Sequence, residues 1–171
     1  MVTRVRLCMR VDSELSMRKE TVDDKQFVFD LFSQIHSERL GLSDYALLAP
    51  LLQQQFAAQT RSFEQHFPSA TYFVAQVGFQ PVGRLVLHRE HGCFRVVDIM
   101  ILPAQQGRGF GRWLLNNVLD EANEAGVATR LSVSQDNIHA KRLYKKLGFR
   151  AELSRGLHEE WVRSHTVVNA V

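Results

Sequence analysis

Apolar and polar positions along this chain follow two periods that alternate several times. Phe27, Leu31 and Ile35, with Val28 and Phe32 on a flanking row, recur at the spacing of one helical face. Thr21-Val22-Asp23-Asp24 precedes them with N-cap chemistry and two acids where a helix start favours negative charge, and Gly41 closes the segment. Ser43-Asp44 offers the cap of a second helix, from about Tyr45 to His66. Leu47, Leu48, Leu51, Leu52, Gln55, Phe56, Gln59 and Phe63 lie along one side of it, Pro50 falls in its first turns, and Pro68 ends it.

The period then shortens to two. Tyr72–Val77 is aromatic and β-branched and predicts a strand; Gly78-Phe79-Gln80-Pro81 is turn chemistry, and Val82–His88 is the returning strand. His91-Gly92 turns the chain again into Phe94–Leu102, so these three strands form an antiparallel meander. A short mixed segment from Leu15 to Glu20 is the candidate first strand. Trp113, Leu114, Val118, Leu119 and Ala122 restore a helical stripe, which Gly126 ends, and Ala128–Ser134 alternates as a strand. With a whole helix between them, Phe94–Leu102 and Ala128–Ser134 should be parallel. Asn137 caps a last helix with Ala140, Leu143, Tyr144 and Leu147 on one face and Gly148 at its end. Phe149–Leu153 and Leu157–Val162 are the final strands, with Gly156 in their turn.

This order predicts one mixed α+β domain over residues 14–165, flanked by a basic leader (residues 1–13) and a short tail (166–171). Its length suits a single core. Composition changes the picture only by exclusion. The net charge is +3, with 21 basic residues spread along the chain, which does not indicate nucleic acid. Two cysteines, Cys8 and Cys93, far apart in unlike contexts, make no disulfide framework and fit a reducing cytoplasm. Arginines interrupt the N-terminus, which lacks a signal peptide's apolar run, and no stretch approaches the ~20 apolar residues of a membrane span. His88-x-x-His91-x-Cys93 has metal-binding residue types but straddles a hairpin turn and lacks a spaced fourth ligand, so no metal is expected.

The chemistry concentrates between Phe94 and Leu115, where an apolar run stops at Pro103, passes three alternating glycines and continues as a helix. A strand feeding a glycine-rich turn and a helix N-terminus aims backbone N–H groups at one point, which suits phosphate. A P-loop needs a Gly-Lys pair, which the chain lacks; the dinucleotide fingerprint needs glycine where Arg112 stands.

A third signature fits. Gln106-Gly107-Arg108-Gly109-Phe110-Gly111 resembles the Q/R-x-x-G-x-G/A element of the GNAT N-acetyltransferase superfamily, and Ile101-Leu102-Pro103 matches the end of its preceding strand. Asn137 through Phe149 resembles the family's N-x-x-A-x-x-L-Y-x-x-x-G-F segment. The resemblance is close from about Phe73 to Phe149 and only architectural for the two N-terminal helices. It implies a mostly antiparallel twisted sheet with one parallel, splayed strand pair, and acetyl-CoA as cosubstrate. By that resemblance, Gln106, Gly107, Arg108, Gly109, Phe110, Gly111 and Arg112 hold the pyrophosphate. The pantetheine arm pairs with the backbone of Ile99, Met100 and Ile101 and is bonded by Asn137. A backbone N–H at Met100 or Ile101 polarises the thioester carbonyl, and Tyr144 is the general acid for the departing thiolate, touching the cofactor as it does so.

Acetyl transfer also requires the acceptor amine to lose a proton, which for a lysine-like amine at pH 7 costs about 4.6 kcal/mol. Asp98, the only acid in the central strand, is the candidate base, through a water; its structural alternative is an ion pair or hydrogen bond on the sheet face. Simple alternation would turn Asp98 away from the cleft, and a bulge would reverse that. His36, Glu38, Arg39, Tyr45 and the Gln53-Gln54-Gln55 run are candidates for lining the acceptor pocket, the glutamines reading more naturally as surface. The expected partner is an amine-bearing small molecule, peptide or protein. A homodimer is compatible with the family, and a catalytically idle acyl-CoA-binding domain is the competing function.

Overall fold

The computed structural model describes residues 15–40 and 45–165, apart from the side chains of residues 39, 40 and 45–47. The leader, Gly41, the Ser43-Asp44 cap, the tail and the side chains of Arg39 and Tyr45 lie outside the described residues. In chain order the elements are β1 (Leu15–Lys19), α1 (Lys25–Leu40), α2 (Tyr45–His66), β2 (Thr71–Val77), β3 (Gln80–Glu90), β4 (Cys93–Ile101), α3 (Phe110–Glu124), β5 (Ala128–Ser134), α4 (Ile138–Lys146), β6 (Arg150–Arg155) and β7 (His158–Arg163). All seven strands join one sheet in the order β1-β2-β3-β4-β5-β7-β6. Only β4–β5 is parallel, as the intervening helix required.

The sheet separates two apolar layers. On one face Leu85, Leu87, Phe94, Val96, Leu131 and Val133 pack against Phe110, Leu114, Leu115 and Val118 of α3 and Tyr144 of α4. On the other, Met100 packs with Leu31 and Phe32 of α1 and Leu48 and Leu52 of α2. Ring contacts of Phe56 with Phe29 and Phe32, at 5.5 and 5.3 Å, bind the two N-terminal helices together. β3 is longer than expected and includes Pro81, tolerated beside a register shift between Ala75 and Gln76. Gln55, expected on the packed side of α2, is exposed with Gln53 and Gln54.

The entry into α1 is fixed electrostatically. The buried Asp24 carboxylate accepts two hydrogen bonds from Arg18, both 2.7 Å, and one from the Thr21 N–H at 2.8 Å. The Arg18 guanidinium, aided by Thr21, holds that carboxyl well below the usual range. A depressed acid stabilises the fold above its unfolded pKa, and that contribution fades as pH falls through its folded value. Asp24→Ala should therefore lower stability at pH 7 by about 1–3 kcal/mol. In urea titrations the gap between variant and wild type should narrow below pH ~3.9.

Candidate active site

Parallel pairing of β4 with β5 covers only Cys93–Val96 against Ala128–Leu131. Past that point β4 stays on β3 as far as Ile101, and β5 stays on β7 as far as Ser134, so the sheet parts between them. Leu102 donates its N–H to the Val82 carbonyl at 2.9 Å. Alternation then turns the Met100 N–H towards β3 and those of Ile99 and Ile101 into the gap. The Ile101 carbonyl points the same way and accepts from Gln106 Nε2 at 3.2 Å.

At the mouth of this gap the chain leaves β4 through a turn at Pro103–Gln105 and enters α3. Gly107 and Gly109 adopt φ of 76° and 92°, a left-handed backbone that costs glycine least, and Gly109 caps α3. With no side chains there, the loop's N–H groups and the positive end of α3 stay accessible. Gly111 sits inside the helix, where a Cβ would meet only Leu143 Cδ2 at 3.7 Å. A cavity of about 850 Å³ follows the loop, lined by Ile99, Ile101, residues 105–112 and, across from them, Asn137, His139, Ala140, Leu143 and Tyr144. Asn137 Oδ1 accepts the Ala140 N–H at 3.1 Å, so it caps α4 as expected.

A second cavity, of about 580 Å³, lies on the α1/α2 side and shares Ile99, Ile101, Gln106, Asn137 and Tyr144 with the first. Its other walls include Ile35 and His36 of α1, Gln59 and Phe63 of α2, Ser132 and Ser134 of β5, and His158 of β7. Asp98 reaches it because of a bulge. Val86 pairs with Asp98 but Leu87 pairs with Val96, leaving Val97 as an extra residue. Phe94 and Val96 face the α3 core, and after the bulge Ile99 and Ile101 do so, while Asp98 and Met100 face α1 and α2. Met100, whose backbone is the part expected beside the cofactor, has its side chain in the second cavity and not the first.

Asp98 Oδ2 is sealed from solvent without a hydrogen-bond partner. Burial pushes this carboxyl up to about 6, against the opposing pull of Arg84 and of the Ile99 N–H. Tyr144 is 6% exposed, in ring contact with Phe149 and Trp161 at 5.8 and 6.3 Å. Burial, and then the charge of Asp98, push its phenol up to about 12, so it holds its proton at neutral pH. A buried acid that lines both cavities thus stands near a titratable carboxylate that lines the second.

The glycine loop, Ile99 and Ile101 of the central strand, Asn137 and Tyr144 line one cavity. Of the acceptor-side candidates, His36 lines the second cavity, while Glu38 and the glutamine run face solvent. His88 is buried between Ser69 (3.2 Å) and Glu90 (3.0 Å), whereas His91 is exposed. Sequence reasoning missed Ser132, Ser134 and His158, which enter the cavity because the parting of β4 and β5 uncovers them. It also missed Gly83, whose absent Cβ would lie 2.6 Å from both Ile101 Cδ1 and the Met100 carbonyl.

The profile of the acetyltransferase (GNAT) family matches residues 28–149. The chain belongs to the GNAT family. Among characterised members, it is 35% identical over 94 residues to the N-alpha-acetyltransferase RimI of Mycobacterium tuberculosis, spanning 55% of this chain and 58% of that protein. It is 40% identical over 52 residues to the [ribosomal protein bS18]-alanine N-acetyltransferase of Haemophilus influenzae, covering 30% and 36% of the two chains. The matched region is thus less than two thirds of either relative. The crystal structure of the PaiA N-acetyltransferase from Thermoplasma acidophilum with coenzyme A has the same fold, with a TM-score of 0.71 and 15% identity over 88% of this chain and 99% of that one.

This GNAT loop distinguishes its glycines by backbone and not by crowding. Gly109→Ala should destabilise the domain by about 1–2 kcal/mol, the cost of a left-handed L-residue. Gly111→Ala should be neutral or stabilising by up to about 1 kcal/mol, as for any unhindered helical glycine. Urea denaturation of the two variants should give opposite signs.

Proposed function

We propose that this chain transfers the acetyl group of acetyl-CoA to a primary amine by direct attack within a ternary complex. The observation that carries this reading is the junction of the two cavities at the parted strands, with Tyr144 lining both cavities and Asp98 lining the second beside it. Acetyl-CoA supplies the activated thioester. Gln106–Arg112 and the α3 N-terminus bind its diphosphate, with Arg108 and Arg112 adding charge. Ile99 and Ile101 offer backbone groups in the gap to an extended arm, and Asn137 bonds it further along. The Ile101 N–H, turned into the gap, is the donor placed to stabilise charge on the thioester oxygen. Asp98 takes the ammonium proton, directly or through a water, and Tyr144 gives its proton to the departing sulfur.

The acceptor we favour is the α-amine of a peptide or protein N-terminus. Among the described residues the second cavity offers one carboxylate, Asp98, and is otherwise uncharged or histidine-lined, a poor match for a polycation. A base near pKa 6 removes a proton from an α-amine (pKa ~7.7–8.0) at a cost of about 2–3 kcal/mol, against about 6 kcal/mol for a lysine side chain. The two relatives bear names of α-amine and alanine acetyltransferases, which agrees.

Free-thiol release from acetyl-CoA should be faster with N-terminal peptides than with Nα-blocked lysine peptides or polyamines. Binding of CoA with no turnover on any amine would leave the idle-domain reading. Tyr144→Phe should lower kcat at least about tenfold with acetyl-CoA affinity nearly unchanged. In wild type kcat/KM should fall below pH of about 6 as Asp98 protonates, and Asp98→Asn should lose that acid limb.

A further inference from the structure

The α1/α2 face of the sheet holds a buried arginine that none of these steps uses. Arg84 of β3 is 3% exposed and lines neither cavity. Its Nε donates to Glu20 Oε2 at 2.8 Å, its Nη2 to Glu20 Oε1 at 3.4 Å, and its Cζ lies 5.0 Å from the ring centre of Tyr72. In the β3–β4 register Arg84 stands opposite Met100, and Val86 opposite Asp98. Arg84 and Asp98 are therefore diagonal neighbours on one face, within reach of long side chains. The guanidinium binds one carboxylate, Glu20, and acts electrostatically on another, Asp98, whose Oδ2 has no partner among the described residues.

We propose that Arg84 is a positioning residue for the reaction: clamped by Glu20 and Tyr72 on the same face of the sheet, it supplies the fixed positive charge against which the Asp98 carboxylate works. This rests on Asp98 being the base. Among the described residues, the other titratable groups around Asp98 are His36 of α1, Tyr144 of α4 and His158 of β7 in the cavity, with Glu20 after β1 and Glu64 of α2 acting on Tyr72. Of all these, Arg84 alone carries a permanent positive charge. Glu20 tunes that charge, because a carboxylate on the guanidinium offsets part of what Asp98 experiences.

Two substitutions should move the acid limb of kcat/KM in opposite directions. Arg84→Met removes the counter-charge, favours protonated Asp98 and should raise the limb by on the order of one pH unit. Glu20→Gln keeps the shape and an acceptor oxygen but removes the competing negative charge, so the limb should fall to lower pH. Arg84→Lys should restore it to near the wild-type position. The carboxyl carbon resonance of Asp98, titrated by NMR without substrate, should follow the same order. If Arg84→Met does not fold, Glu20→Gln and Arg84→Lys still decide the matter. An acid limb lost in Asp98→Asn but unmoved, or moved in the same direction, by the Arg84 and Glu20 variants overturns the role of Arg84 while the base assignment stands. A limb that persists in Asp98→Asn overturns the base assignment, and the role of Arg84 with it.

Discussion

Four residues of parallel pairing, Cys93–Val96 on Ala128–Leu131, hold together two halves of the sheet that then separate. Backbone N–H and C=O groups facing such a gap are strong donors and acceptors, and each one buried without a partner costs about 1–3 kcal/mol. The protein answers part of that demand internally, through Gln106 on the Ile101 carbonyl, and in the proposed function an extended ligand answers the rest. Each half is held by its other neighbours. β4 is paired with β3 along its length, and β5 with β7 from Thr129 to Ser134. Tyr144 is fixed beside the opening by Phe149 and Trp161.

The same gap explains why the two cavities can differ in character yet share a wall. The sheet is an apolar partition, with the α3 layer on one side and the α1/α2 layer on the other. Where β4 and β5 part, the partition has an opening, and Ile99, Ile101, Asn137 and Tyr144 form its rim. The glycine loop faces one chamber with N–H groups and a helix end; the other presents a carboxyl, two histidines and two serines. In the proposed reaction, an anionic ligand and an amine would take opposite sides and meet only at the opening.

Much of this was legible in the sequence because it is local. Helical spacing around Phe27 and Leu114, turn chemistry at Gly78–Pro81 and the glycine run from Gly107 each reflect interactions within a few residues. The parallel relation of β4 to β5 followed from chain connectivity alone. What stayed hidden depends on register between distant segments. Val96-Val97-Asp98 reads as unbroken strand, with no glycine or proline to mark a bulge, so the side taken by Asp98 was undetermined. The Arg84–Glu20 pair joins residues 64 positions apart, and no spacing rule reports it. The acceptor-side walls come from α1, α2, β5 and β7 together, so no contiguous stretch carries their pattern.

The extra residue at Val97 acts on β4 as a frameshift acts on a message. Side chains before it are read in one phase and those after it in the other, so residue count, and not only residue type, decides what each chamber displays. Loss of that single residue would hand the isoleucines to the α1/α2 side and the aspartate to the α3 layer, with every side chain chemically unchanged. Strand length at this point is therefore as much a part of the site as the groups it carries.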